Sequence, residues 1–288
     1  MRALFTGASS PLGGRVLRCL LADDAYTEVW CGVHEREVEI THPKLRRFKL
    51  NLEGEFGLDE IPAPLDLVVH FAGVTHARDE QRYWDVNRRG TARLAESAQR
   101  LGCRRFVYVS TRCATEGSGA YGESKLAAEL ELRRHDWESL LILRPSEVYG
   151  GGGSEGIDKF ISAARKVRVV PLLFGDARLQ FAPLHVDDFV RATCALLSEP
   201  RPGGHVLEMC GPESLSGAQV ARRIGRRFKA LPIPLWWPAL ALTLRALRRV
   251  RLNPVAPDQL ERLTGPKTAN HSTPAPALAA PVIRFMLD

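Results

Sequence analysis

Cysteine is scarce and unordered in this chain of 288 residues. Cys19, Cys31, Cys103, Cys113, Cys194 and Cys210 form no Cys-x-x-Cys pair and have no neighbouring histidines. That spacing argues against a zinc site and a disulfide framework, so all six are expected to be reduced, Cys113 serving as a packing thiol. No stretch is long and apolar enough to span a bilayer; the apolar segment 231–244 falls short. The N-terminus has neither a charged leader nor an apolar signal core, so a cytoplasmic location is expected. No internal repeat is evident. A net charge of +7 and a pI near 9.3 raise the question of nucleic acid, but the basic residues read as spread along the chain. Without a recognition helix or an aromatic-interleaved basic stripe, nucleic-acid binding is not expected. No constellation suits a metal.

What is present is alternation. Residues 1–17 read as an apolar run, a small-residue turn and a helix through Val16, Leu17 and Leu20. Gly7 and Gly13 hold the outer positions of a Gly-x-x-Gly-x-x-Gly pattern, with Ser10 in the middle place. Such a turn lets backbone N–H groups meet a pyrophosphate at the positive end of a helix. Further strands are predicted at 28–33, 45–52, 65–73, 105–111, 140–145 and 205–210, and helices at 87–101 and 157–166. The run 65–73 is apolar almost throughout, as in a strand buried on both faces of a parallel sheet. At 45% apolar residues, the chain suits one doubly wound domain with a smaller appended lobe.

Tyr121 and Lys125 lie four residues apart in a helical pattern, which sets a phenol beside an ammonium. A fixed positive charge there favours the phenolate and makes a proton acceptor of a tyrosine.

These features occur in a telling order. Thr6–Gly13, His70–Gly73, Asn87–Thr91, Val109–Thr111, Tyr121-x-x-x-Lys125, Arg144–Gly150 and His185–Asp188 follow one another as in extended short-chain dehydrogenase/reductases. Over roughly residues 1–215 the chain resembles the NAD-dependent epimerase/dehydratase family, whose best-known members act on nucleotide sugars.

The resemblance implies an α/β fold, a Rossmann-type doubly wound parallel sheet with a smaller, discontinuous C-terminal substrate lobe. The dinucleotide-binding domain would take 1–145 and 184–211, and the substrate lobe 146–183 and 212–288, with 266–281 as irregular coil. It further implies cofactor contacts at Gly7, Ser9, Ser10, Leu12, Gly13 and Arg15 for the phosphates, and at Asn51 and Leu52 for the adenine. Phe71, Ala72, Gly73, Asn87, Val109, Pro145, Tyr121 and Lys125 would line the nicotinamide half. NAD users place an acid at the end of the second strand. Here the acid is displaced to Glu35, and His34, Arg36 and Arg15 suit a 2′-phosphate, so NADP is favoured over NAD. Tyr121 is the expected proton carrier, Lys125 its charge partner and ribose ligand, and Thr111 the hydroxyl that holds the same substrate oxygen. Thr75, Thr111, Arg112 and Glu147 are the expected substrate contacts.

Three departures narrow the reaction. Arg112 and Cys113 stand where dehydratases need an Asp-Glu pair, which disfavours elimination. Only nine residues separate Thr111 from Tyr121, a shorter rim than in epimerases. Glu147 replaces an Asn, and an ionised carboxylate only accepts hydrogen bonds, which weakens the assignment of a diphosphate sugar.

The first reading is therefore an NAD(P)-dependent epimerase or keto-reductase of a nucleotide sugar. A second replaces the sugar with a small carbonyl compound or a lipid-like carbinol. A third is a catalytically idle NADP(H)-binding structural or sensing module. Residues 231–251 read as an apolar helix inside the lobe, with a membrane surface as the alternative. Family members commonly form homodimers through two helices flanking the sheet.

Overall fold

Short strands that are apolar on both sides need helices on both sides. A computed structural model of the chain provides that arrangement and describes residues 1–54, 56–152, 156–199, 201–249 and 262–268. The first half runs β1 (Arg2–Thr6), α1 (Pro11–Ala22), β2 (Glu28–Val33), β3 (Leu45–Lys49), β4 (Leu67–His70), α2 (Gln81–Tyr83), α3 (Thr91–Arg100), β5 (Arg105–Val109), α4 (Ala120–Leu132) and β6 (Ser139–Pro145). The second runs β7 (Val148–Tyr149), α5 (Gly156–Val167), β8 (Val169–Phe174), β9 (Gln180–Phe181), β10 (Leu184–His185), α6 (Val186–Ser198), β11 (Gly203–Met209), β12 (Leu215–Ser216), α7 (Gly217–Phe228), β13 (Leu231–Trp236) and α8 (Trp237–Arg249).

Seven strands form one sheet in the order β11-β6-β5-β4-β1-β2-β3, every neighbouring pair parallel. The chain winds outward from β1 to β3, then returns to β4 on the other side of β1. That reversal opens a crevice at the carboxyl ends of β1 and β4, where ligands of such sheets bind. Alternate strand residues feed two cores. Ala3 and Phe5 pack with Val16 and Leu20 of α1 and Leu196 of α6, whereas Leu4 packs with Leu94 of α3 and Leu132 of α4. A third core, around Ile157, Ile161, Val170, Leu173, Val220 and Ile224, forms outside the seven-stranded sheet, in the region expected as the smaller lobe.

Three expectations need correction. The helix expected from 87 begins upstream, because α2 passes through a π-helical turn, Trp84–Gly90, into α3. The apolar helix expected from 231 starts as a strand instead: β13 pairs in parallel with β8 before α8 begins at Trp237. Pro232 and Pro234 explain it, since two prolines without N–H groups break a helix yet fit one side of an edge strand. Residues 250–251 of that segment and 269–281 of the expected coil lie outside the described residues.

The third concerns sulfur. Cys19 and Cys194, 175 residues apart, form a disulfide with Cα atoms 6.2 Å apart. The bridge joins α1 to α6, which lie side by side, a proximity invisible to spacing rules. Cys31, Cys103, Cys113 and Cys210 are buried and take part in no disulfide. Thiol titration of the denatured, unreduced protein is therefore expected to count four thiols. Cys194→Ser should lower unfolding free energy by about 2–4 kcal/mol under oxidising conditions and leave it unchanged in reductant. Six titratable thiols would refute the bridge.

Candidate active site

The crevice between β1 and β4 is built on close backbone approach. Gly7 has φ +80, and a Cβ there would sit 2.5 Å from Ala72 N and 2.6 Å from the Phe71 carbonyl carbon. A Cβ on Gly13 would lie 2.3 Å from Gly7 O. Only glycine fits either place. Ser10 turns out to cap α1: its hydroxyl donates to Gly7 O at 2.9 Å and accepts from Gly13 N at 3.0 Å. The serine thus replaces a glycine of the motif while holding the turn shut over the helix's N-terminal N–H groups. Ser9 is exposed beside it, and Leu12 packs on the core.

Of the residues expected near the adenosine, His34 and Arg36 are exposed just past β2. Asn51 folds its side chain onto Glu53 N at 3.0 Å, and Leu52 is buried. Arg15, expected at a phosphate, binds Asp187 of α6 at 2.7 Å. Beneath the crevice, buried His70 lies between Thr6 Oγ1 at 2.6 Å and Thr91 Oγ1 at 2.9 Å. Burial, reinforced by the Lys125 charge, pushes its pKa down to about 3, so it is a neutral structural group.

The residues expected at the nicotinamide converge on α4. Asn87, placed by the π-helical turn, accepts from Val74 N at 2.8 Å and donates to Val74 O at 3.0 Å and Ser124 Oγ at 3.1 Å. A Cβ on Gly73 would be 3.0 Å from Asn87 Oδ1 and 3.8 Å from Lys125 Nζ, so these three border one space. Lys125 is 4% exposed; its ammonium donates to Val109 O at 2.7 Å and lies 4.1 Å from the centre of the Tyr108 ring. Burial brings its pKa down to about 7, partly countered by Glu129.

Tyr121 stands at the mouth, edge-on to Tyr83 with ring centres 5.9 Å apart. Thr111 Oγ1 accepts from Cys113 N at 3.2 Å and keeps its own proton to give. The turn that carries Thr111 packs against the first turn of α4 through Gly122, where a Cβ would meet Cys113 O at 2.1 Å. Gly→Ala inside a helix ordinarily stabilises by about 0.5–1 kcal/mol. Gly122→Ala is expected to do the reverse, costing about 1–3 kcal/mol by overpacking. A rise in the thermal midpoint would show that the contact yields.

A buried rail links this helix to the far side of the site. Ser110 donates to Glu129 at 2.5 Å, Glu129 pairs with Arg144 at 2.9 and 2.6 Å, and Arg144 reaches Glu208 at 3.2 Å. Thr268 closes it, donating to Glu208 at 2.7 Å.

The two expected substrate contacts Arg112 and Glu147 face each other. Arg112, 1% exposed, donates to Glu147 Oε1 at 2.6 Å and to Gln180 O at 2.9 Å, while Ala182 N donates to Glu147 Oε2 at 3.0 Å. Pro145 adjoins them, its carbonyl accepting from Arg112 N at 3.1 Å.

Sequence reasoning missed residues 262–268. The Arg262 guanidinium lies 3.7 Å from the Tyr121 ring centre and donates to Thr75 O, bridging the loop after β4 to the tyrosine. Lys267 donates to Gln180 O at 2.9 Å, and burial lowers its pKa. Nothing local marks these residues, which follow the lobe as a short polar stretch.

A family model described as the NAD dependent epimerase/dehydratase family matches residues 3–210. The ceramide reductase of Caulobacter vibrioides is 32% identical over 201 residues, 68% of this chain and 60% of that protein. The UDP-glucose 4-epimerase of Vibrio cholerae is 26% identical over 202 residues, 59% of this chain and 60% of that protein. The chain thus spans 60% of the length of each relative. Among solved structures, the Bacillus cereus UDP-glucuronic acid 4-epimerase Y149F mutant, in complex with UDP-4-deoxy-4-fluoro-glucuronic acid and NAD, superposes with a TM-score of 0.70 at 20% identity, covering 82% of this chain and 86% of the other. MoeE5 in complex with UDP-glucuronic acid and NAD gives 0.69 at 24%, covering 82% and 85%. At these identities the structural likeness establishes the shared Rossmann-type fold.

Proposed function

The chain belongs to the NAD-dependent epimerase/dehydratase family, and on that premise we propose that it reduces a ketone on an apolar, lipid-like substrate, consuming NADPH stoichiometrically. One observation carries the choice of substrate: both carboxylate oxygens of Glu147 are engaged, by Arg112 and by Ala182 N. The position where sugar-nucleotide enzymes present an amide therefore turns an ion pair inward. The identity to a ceramide reductase supports the same reading.

The residues present fit a nicotinamide dinucleotide. The Gly7 and Gly13 turn leaves no room for a Cβ and ends at a helix N-terminus, the arrangement that receives a pyrophosphate. Gly73, Asn87 and Lys125 would hold the nicotinamide half, and His34 and Arg36 the 2′-phosphate. When bound, the cofactor supplies the hydride. Tyr121 gives its phenolic proton to the carbonyl oxygen, Thr111 donates a hydrogen bond to that oxygen, and the Lys125 ammonium favours the phenolate left behind. No acid pair follows Thr111, so no elimination accompanies the transfer.

The test is a spectrophotometric screen of NADPH oxidation with long-chain keto-amides, simple ketones and UDP-sugars. Turnover of the keto-amide with one NADPH consumed per product supports the proposal. Turnover of a UDP-sugar with only trace cofactor would establish instead the epimerase reading, which the Vibrio cholerae relative favours. In cofactor titrations NADPH is expected to bind roughly tenfold more tightly than NADH, because Arg36 is free to form charge-assisted bonds to a phosphate. The opposite order would remove that role from His34 and Arg36.

A further inference from the structure

The positive charge of this protein is not spread along the chain, as its sequence first suggested. Residues 159–175 hold four basic residues and 214–257 hold nine, and neither stretch contains an acid. Subtracting those thirteen from 40 leaves 27 basic residues against 33 acidic ones, so the rest of the chain is net negative. The fold then joins the described parts of the two stretches, through the parallel pairing of β8 with β13 and the packing of α5 against α7.

Large apolar side chains stand exposed on the same lobe. Leu231 is 63% exposed, Trp236 56% and Leu242 68%, with Ile233 and Val167 exposed as well. Basic and apolar surfaces meet at Pro232, which together with Arg222, Arg223 and Arg226 lines an open cavity of about 530 Å³. By the two-residue alternation of a strand, Pro234 and Trp236 share the side of Pro232. Arg222 and Arg226 sit on the outer face of α7, whose inner face buries Val220 and Ile224. Arg223 is steadied by Glu213 at 2.6 Å.

The edge itself narrows the choice of partner. Leu231 N donates to Arg168 O at 2.8 Å, so the N–H groups of 231, 233 and 235 turn toward β8. The outward positions 232 and 234 are prolines, which have no N–H to offer. A further strand, from a second copy or another protein, finds no donor ladder there. A fluid surface that pairs anionic groups with an apolar layer needs none.

We propose that this face of the smaller lobe docks on an anionic phospholipid membrane. The arginines of α7 meet headgroup phosphates, while Trp236 and Leu242 enter the boundary between headgroups and acyl chains. The docking goes beyond the reductase reading and does not rest on it, since it is measured without substrate or cofactor.

The test is flotation of the full chain with vesicles of phosphatidylcholine alone or with about one-third phosphatidylglycerol, at about 50 and 300 mM salt. Flotation with the anionic vesicles at low salt is expected, at least roughly tenfold stronger than with neutral vesicles or at high salt. Leu242→Glu and the pair Arg222→Glu/Arg226→Glu should each lower binding roughly tenfold with circular dichroism and thermal midpoint unchanged, because all three side chains are exposed. A wild-type chain that stays soluble with anionic vesicles, or folded variants that float as well as wild type, would overturn the proposal. So would a concentration-dependent dimer abolished by Leu242→Glu in a chain that does not float.

Discussion

Replacing Tyr121 by Phe is expected to lower kcat by about 10²- to 10⁴-fold, the share that a positioned proton carrier contributes to such a transfer. The ring would stay where it is, held edge-on by Tyr83 and capped by Arg262 at 3.7 Å. NADPH binding and thermal midpoint should therefore be unchanged, and the loss should appear in kcat with little change in KM. Retained turnover would hand the proton to another group and favour an idle, cofactor-binding role for the chain. Arg262→Ala separates charge from packing at the same ring. If the guanidinium matters as a cation, Arg262→Lys recovers part of the loss and Arg262→Met does not.

Lys125→Met should cost about 10²- to 10³-fold in activity, as for the loss of one charge placed to stabilise a transition state, yet leave the protein at least as stable in mild acid. The sign follows from burial. The lysine's pKa falls from 10.5 to about 7 on folding. Below pH 7 both folded and unfolded chains carry the proton, and the folded chain bears the full cost of a buried ammonium. Between pH 7 and 10.5 the unfolded chain holds a proton that the folded one has released, so wild-type stability rises with pH across that window. Methionine has no charge to bury, so its advantage is greatest below pH 7 and fades as pH rises. The lost hydrogen bond to Val109 O offsets part of that gain. Reduction needs the phenol protonated and the ammonium charged, so wild-type kcat/KM should fall as pH rises through about 7, a limb absent from the Met variant. A variant with wild-type pH dependence would remove Lys125 from the chemistry.

Much of this site was legible because its parts are local. A glycine with φ +80 before a helix, a strand apolar on both faces and a Tyr-x-x-x-Lys step each express themselves within a few residues. The Ser10 substitution was harder to read: as a motif position it looks like a flaw, and as an N-cap it is the bond that closes the turn. The helix expected at 231 failed where an average family pattern was set above the chemistry of Pro232 and Pro234.

By itself the sequence determined the α/β alternation and the glycine turn before α1, and it singled out Thr111, Tyr121 and Lys125 as candidates, since backbone sterics, side-chain period and capping act between near neighbours. The tertiary structure decided what those groups face. It pairs Arg112 with Glu147 across 35 residues, sets Arg262 against Thr75 across 187 and joins Cys19 to Cys194 across 175. It also lays β8 of one acid-free stretch beside β13 of the other. Contacts of that length leave no period in the chain, because each depends on which helices the winding of the sheet brings side by side.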